Sequence, residues 1–200
     1  MENVKFLIRE NQDPVMISVI GGTGVGKTEF VLNMARDIMN YGMDVIYFNT
    51  DTKEDMLLRR LSGTGKMNGD GSLHLFSKIN PTQNYVMESM LNALKCSGRK
   101  VGMVIYDMCR KSSDAMPLME YIKNNNWMSY CVFVGNTEND VKDVNSDYVY
   151  CVKRLPERTV NIDMCYNAIP FSIEVSNGDG NFQSLNQEHL LNNGMKVYTY

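Results

Sequence analysis

No apolar run in the sequence approaches the twenty or so residues that a membrane-spanning helix needs, which excludes a helical membrane protein as the reading. The opening Met-Glu-Asn-Val-Lys-Phe-Leu-Ile-Arg-Glu breaks its apolar stretch after three residues, unlike a signal peptide, and the expectation is a cytoplasmic protein. The five cysteines (Cys96, Cys109, Cys131, Cys151 and Cys165) include no pair at metal-ligand or redox spacing, and several lie inside apolar runs, as small buried hydrophobes do. A basic surplus is also missing: 20 Lys and Arg against 23 Asp and Glu leave a net charge of −3. A general field for nucleic acid is thereby excluded, and any such contact must come from a few placed residues. No internal repeat or low-complexity segment is visible.

What is present suits one ordinary domain. The chain has 200 residues, of which 44% are hydrophobic and 22% charged, enough to bury a sizeable core. Sixteen methionines are scattered at core-like spacings and read as gap-fillers.

Residues 15–28, Val-Met-Ile-Ser-Val-Ile-Gly-Gly-Thr-Gly-Val-Gly-Lys-Thr, organise the rest. Six apolar-rich residues suit a strand covered on both faces. The glycines that follow let the chain wrap so that its N–H groups point at an anion. Gly21-x-x-x-x-Gly26-Lys27-Thr28 fits the eight-residue phosphate-loop pattern, with Lys27 placed to reach the outer phosphates and the Thr28 hydroxyl placed to ligate magnesium. An amphipathic helix should follow, with Phe30, Val31, Met34, Ala35, Ile38 and Met39 inward and Gly42 closing it, and its N-terminus adds positive potential. The expected phosphate-binding set is Gly21, Gly22, Thr23, Gly24, Val25, Gly26, Lys27, Thr28 and Glu29. The bland alternative, a glycine-rich turn that binds nothing, seldom carries both flanking elements.

Further along, residues 1–14 hold a short apolar segment and then Asn-Gln-Asp-Pro, read as an N-terminal arm or edge strand. Residues 44–49 predict a second strand, followed by an acidic turn at 50–55 and a helix over 56–61. Residues 62–71 are a glycine-rich surface loop whose Gly63-Thr64-Gly65-Lys66 imitates a phosphate loop without the terminal Ser or Thr. A strand over 73–76 contains His74, expected to pack or cap rather than catalyse. A helix over 81–96 should turn Tyr85, Met87, Met90, Leu91 and Leu94 inward. Residues 101–107 form an apolar strand ending in Asp107, and carboxyl ends of strands in open parallel sheets face the ligand crevice. Asp107 is therefore a candidate to hold magnesium through water, the alternative being a solvated strand-end aspartate. A helix over 114–124, strands over 130–134 and 148–152, and an antiparallel hairpin from residues 159–164 and 171–175 complete the reading. The tail from 183 offers a short helix and an edge strand over 196–200.

This order of elements resembles the RecA-like P-loop ATPase core, and most closely the motor domain of DnaB-type replicative helicases. The resemblance covers about residues 15–182 and is carried by Gly21 to Thr28, the strand, acidic turn and Leu-Leu-Arg-Arg-Leu helix of 45–61, residues 104–107, 133–136 and 146–154, and the hairpin. It implies an α/β fold, a mainly parallel twisted sheet flanked by helices with a C-terminal antiparallel hairpin. Residues 15–182 would be the ATPase domain and 183–200 a tail packed on it. It also implies ATP and Mg2+ as ligands, a homo-oligomer such as a hexameric ring, and single-stranded nucleic acid as a partner. The residue that orients the attacking water would be Asp51, one methylene shorter than the family's usual glutamate; alternatively Asp51 or Thr52 N-caps the next helix. Asn136 stands where the family senses the γ-phosphate, and could equally end a strand in a turn. The expected catalytic set is thus Lys27, Asp51, Asp107 and Asn136, with Thr28 and Asp107 on the metal.

Two departures bear on function. The hairpin position where the family carries a lysine and an arginine reads Asp163-Met164-Cys165-Tyr166-Asn167, so a trans-acting cation would come from Lys153, Arg154 or Arg158, or be absent. The segment between Asn136 and Ser146, where helicases keep a DNA-binding loop, is short and acidic. The first reading is an ATP-hydrolysing motor subunit acting on nucleic acid. The second is a nucleotide-gated adaptor with weak or no hydrolysis. A small-molecule kinase would want an arginine-rich lid, which the sequence lacks.

Overall fold

A computed structural model of the chain describes residues 13–62, 70–77, 84–125, 128–154, 171–176 and 183–184. Its sheet has the strand order β3-β2-β4-β5-β1-β6-β7-β8. The strands are β1 (Val15–Ile20), β2 (Asp44–Asn49), β3 (Leu73–Ser77), β4 (Val101–Cys109), β5 (Tyr130–Gly135), β6 (Tyr148–Arg154), β7 (Phe171–Ser176) and β8 (Gln183–Ser184). β1 to β6 are all parallel. β7 runs antiparallel to β6, and β8 antiparallel to β7. Residues 159–164, the expected partner of β7, lie outside the described residues. So do the expected arm over 1–12, residues 63–69 with Gly63-Thr64-Gly65-Lys66, the 163–167 segment and nearly all of the tail.

Helices cover both faces, which is why the central strands read as near-continuous apolar runs rather than alternating ones. α1 (Lys27–Asn40) and Leu57 of α2 (Glu54–Ser62) pack on one face with Val19, Val45, Tyr47, Ile105 and Val132. On the other face, α3 (Asn84–Cys96) and α4 (Met116–Asn124) pack with Ile46, Phe48, Val104, Tyr106 and Phe133. α1 presses close on β4, since a Cβ at Gly102 would stand 2.7 Å from Ile38 Cγ2.

Connections toward β3 use the α1 face, and returns toward β6 use the α3 face, as a single crossover hand requires. β1 therefore leaves over one face while its neighbour β5 leaves over the other. Their carboxyl ends part around a crevice, the place where open α/β sheets bind ligands.

Several element bounds and one helix face depart from the expectation; α2 begins at Glu54, inside the acidic turn expected over 50–55, and β6 runs on to Arg154. Tyr85 is 70% exposed while Met87 and Leu91 are buried. Residues two apart on a helix point in nearly opposite directions, so Tyr85 and Met87 cannot share an inner face. The helix expected from residue 114 begins at Met116, behind a 3-10 turn over Ser112–Asp114. The Asp114 carboxylate accepts the N–H groups of Arg110 (2.9 Å) and Lys111 (3.2 Å) and so closes that turn, while Pro117 sits in the first turn of α4, where a missing N–H costs nothing. β4 runs two residues past Asp107, with a register irregularity against β5 between Asp107 and Cys109.

At the amino ends of the strands, buried Asp44 accepts hydrogen bonds from Arg99 Nε (2.6 Å) and Ser72 N–H (2.9 Å) and lies 2.7 Å from His74 Nε2. His74 is thus tied into packing at the pole opposite the crevice. Among the described residues, no helix is long and apolar enough to cross a membrane.

Candidate functional site

The loop between β1 and α1 owes its shape to backbone freedom at its glycines. Gly24 (φ 77°) and Gly26 (φ 106°) occupy the left-handed region that side chains disfavour. At Gly21 a Cβ would collide with the Val152 backbone oxygen and come within 2.9 Å of Val25 Cγ2, so β6 passes too near for any larger residue. Val25 turns its side chain to the core on the α1 face, leaving only its backbone for a ligand. Gly26 is the N-cap of α1 and no side chain caps the helix; its first backbone bond runs from Phe30 N–H to Gly26 O, at 2.9 Å. Among the described residues, the N–H groups from Gly22 to Glu29 find no acceptor within the protein. A row of inward N–H groups at a helix N-terminus is an anion nest.

Three neighbouring strand ends bring side chains to this nest. The buried Lys27 ammonium donates to Gly21 O (2.7 Å), Gly22 O (2.9 Å) and Asn136 Oδ1 (2.9 Å), the last at the end of β5. Burial pulls the Lys27 ammonium below its ordinary pKa, while the negative charges of Asp107, Asp51 and Asp140 oppose that pull. Asn136 is held in turn by its own N–H, which donates to Asp140 Oδ2 at 2.9 Å. It therefore both opens a turn and offers its side chain to the site.

Asp107, two residues before the end of β4, is 3% exposed. Its Oδ2 accepts the Thr28 hydroxyl at 3.2 Å and the Tyr47 hydroxyl at 2.5 Å. Burial raises its pKa above the ordinary carboxylate range, and the hydrogen bonds from Tyr47 and Thr28 and the charge of Lys27 restrain that rise. It is not a solvated strand-end residue. The Asp107–Met108 peptide is cis, and Thr50 binds both sides of it: Thr50 N–H donates to Asp107 O (2.7 Å), and the Thr50 hydroxyl pairs with Met108 N and O, each at 2.9 Å.

The turn after β2 is shaped by Asn49, whose amide donates to Thr52 O (2.5 Å) and accepts from Thr52 N–H (3.0 Å). Asp51 stands out of this turn and pairs with Arg110 at 3.3 Å, both half-exposed or more. Among the described residues its side chain accepts only from Arg110 and makes no cap on α2, whose first backbone bonds run from Met56 and Leu57 N–H to Lys53 O. Glu29 and Arg60 close the outer wall. Burial raises the Glu29 pKa, and Arg36 and Arg60 hold it down.

Together these residues line a cleft of about 250 Å³ bounded by Thr23, Gly24, Lys27, Asp51, Asp107 and Asn136. Open N–H groups of this kind suit an anion, and a hydroxyl beside a carboxylate is the donor chemistry that magnesium takes when phosphates complete its shell. Among the described residues, no group of three or more His, Cys, Asp or Glu is placed to hold a metal by itself, so these side chains suit a metal that arrives with a phosphate.

Sequence reasoning missed Thr52, Arg60 and Met108 in the lining of this cleft, and Tyr47, buried behind Asp107. Tyr47 lies two residues before Asn49, which pairs in register with Asp107, so an odd-numbered residue of β2 long enough to reach along the strand meets that carboxylate. Arg60 stands one turn beyond the buried Leu57, and side chains on a helix lean toward its N-terminus, which here is the cleft. No protein-family model matches the chain, and no curated protein matches it.

Proposed function

We propose that the chain is a RecA-like P-loop ATPase that binds Mg-ATP in this cleft. One observation carries the reading. The open N–H groups of residues 22–29 lie within reach of Lys27, Thr28, Asp107 and Asn136, delivered by three adjacent strand ends at the point where the sheet's connections diverge. A purely structural glycine turn has no need of a buried lysine facing a buried carboxylate.

In this reading the loop N–H groups and the α1 N-terminus hold the β-phosphate, and Lys27 turns part of its donor set to the β- and γ-oxygens. Thr28 and Asp107 hold magnesium, Asp107 through water; the metal, when bound, neutralises charge on the phosphates. Asp51 orients the attacking water from the β2 turn. Asn136 feels the γ-phosphate through its shared contact with Lys27.

The family resemblance supports a motor that assembles into a ring and acts on single-stranded nucleic acid. A second reading, a nucleotide-gated adaptor, is favoured by one contact and one segment. Asp51 is engaged by Arg110, which leaves it less free to serve a water. Residues 137–145, where a motor would keep a nucleic-acid loop, are folded into two 3-10 turns whose Val141 and Val144 are buried in the core.

Phosphate release measured at low salt with and without single-stranded DNA, beside the mass in solution with and without nucleotide, decides between them. A motor hydrolyses ATP faster on DNA and grows in mass; an adaptor binds ATP with neither response. A titration showing no binding of ATP at all rejects both.

A further inference from the structure

Among the described residues, Tyr47 is the one wholly buried hydroxyl that reaches the candidate metal site. Its ring lies in the core under α1, at 0% exposure, and its hydroxyl donates to Asp107 Oδ2 at 2.5 Å. A phenol, with an ordinary pKa of about 10, carries its proton at neutral pH, so here it donates and the carboxylate accepts. The other donor to the same oxygen, the Thr28 hydroxyl, is longer at 3.2 Å. Oδ1 accepts no hydrogen bond from a described residue, and Asp107 lines the cleft.

We infer that Tyr47 is a positioning residue for the metal: it pins Oδ2 in the core and thereby sets Oδ1 toward the magnesium that enters with ATP. The inference rests on the Mg-ATP reading of the cleft. Its logic is a division of labour. The Thr28 hydroxyl has one proton and two lone pairs, so it serves both the cation and Asp107, and its bond to the carboxylate is the longer one. Tyr47 has no part in ligation and donates to Oδ2 with the metal in or out. Ligating carboxylates are themselves hydrogen-bonded, and removing such a partner typically costs about 10–100-fold in metal affinity.

The test uses the full chain, a fluorescent non-hydrolysable ATP analogue and a Mg2+ titration. In Tyr47→Phe the Mg2+ concentration for half-maximal analogue binding should rise at least about tenfold, with binding in EDTA unchanged. An unchanged Mg2+ midpoint overturns the inference, as does an equal loss of binding in EDTA. Asp107→Asn with and without Tyr47→Phe provides a second comparison, in which the buried carboxylate's charge is absent from both members, and survives a poorly folding single variant. If Tyr47 acts through Asp107, the second substitution leaves the midpoint of Asp107→Asn where it is; a further tenfold shift overturns the inference. Failure of the unmodified chain to bind the analogue at any Mg2+ concentration is a different result, since it removes the Mg-ATP reading itself.

Discussion

At the scale of single residues, Lys27 and Asp51 differ in how deeply they are committed to the fold. Lys27 is buried and its ammonium is fully occupied by oxygen acceptors around the cleft. Lys27→Ala should lower ATP turnover by at least about a hundredfold, the usual cost of deleting a charge-stabilising donor, with circular dichroism retained; near-native phosphate release refutes the loop's assignment. Asp51 makes only a surface ion pair with Arg110, and such pairs are worth about 0–1 kcal/mol. Asp51→Asn should therefore move the melting temperature by no more than about 4 °C while cutting hydrolysis and sparing ATP binding. A large loss of stability with unchanged turnover would make Asp51 a structural residue.

At the scale of elements, the loop and its neighbour β6 are fitted to each other at Gly21. Gly21→Ala drives a methyl into the Val152 backbone oxygen, an overpacking that should cost about 2–3 kcal/mol. Thermal melting should report this as a fall of roughly 5–10 °C, whereas an unchanged melt would mean that β6 yields freely. Much at this scale was legible in the sequence, for a physical reason. β1, β2, β4 and β5 are covered on both faces, so their apolar runs announce them, and strand ends in such sheets announce Asp107 and Asn136. The face of α1 was equally plain from its 3.6-residue spacing. Less visible were features set by neighbours. Tyr85 satisfied hydrophobicity without satisfying the angle that Met87 imposes. The start of α4 was hidden because Asp114 serves the preceding turn. Tyr47 and Arg60 could not be placed beside the cleft without knowing that β2 and β4 lie in register and that α2 packs on the α1 face.

At the scale of the whole molecule, the proposed ligand ties together segments that no local interaction joins, and binding should show as global stabilisation. Mg-ATP at a hundred times its dissociation constant adds about 2.7 kcal/mol, which in a chain of 200 residues raises the melting temperature by roughly 5–10 °C. Adding EDTA should remove most of that gain if Thr28 and Asp107 hold the metal, and a shift indifferent to EDTA would deny them that role. Lys27 shows how such an effect must spread. An ammonium has three protons to give, and in this fold all three are spoken for, two by the loop and one by Asn136, 109 residues away in sequence. An incoming anion can take a proton from that set only by dispossessing one of the present holders. Two of those lie beside the lysine itself, whereas the third, Asn136, opens the strand connection that leads to the sheet's antiparallel edge; in the Mg-ATP reading, filling the nest should therefore be felt at Asn136 as well as in the loop.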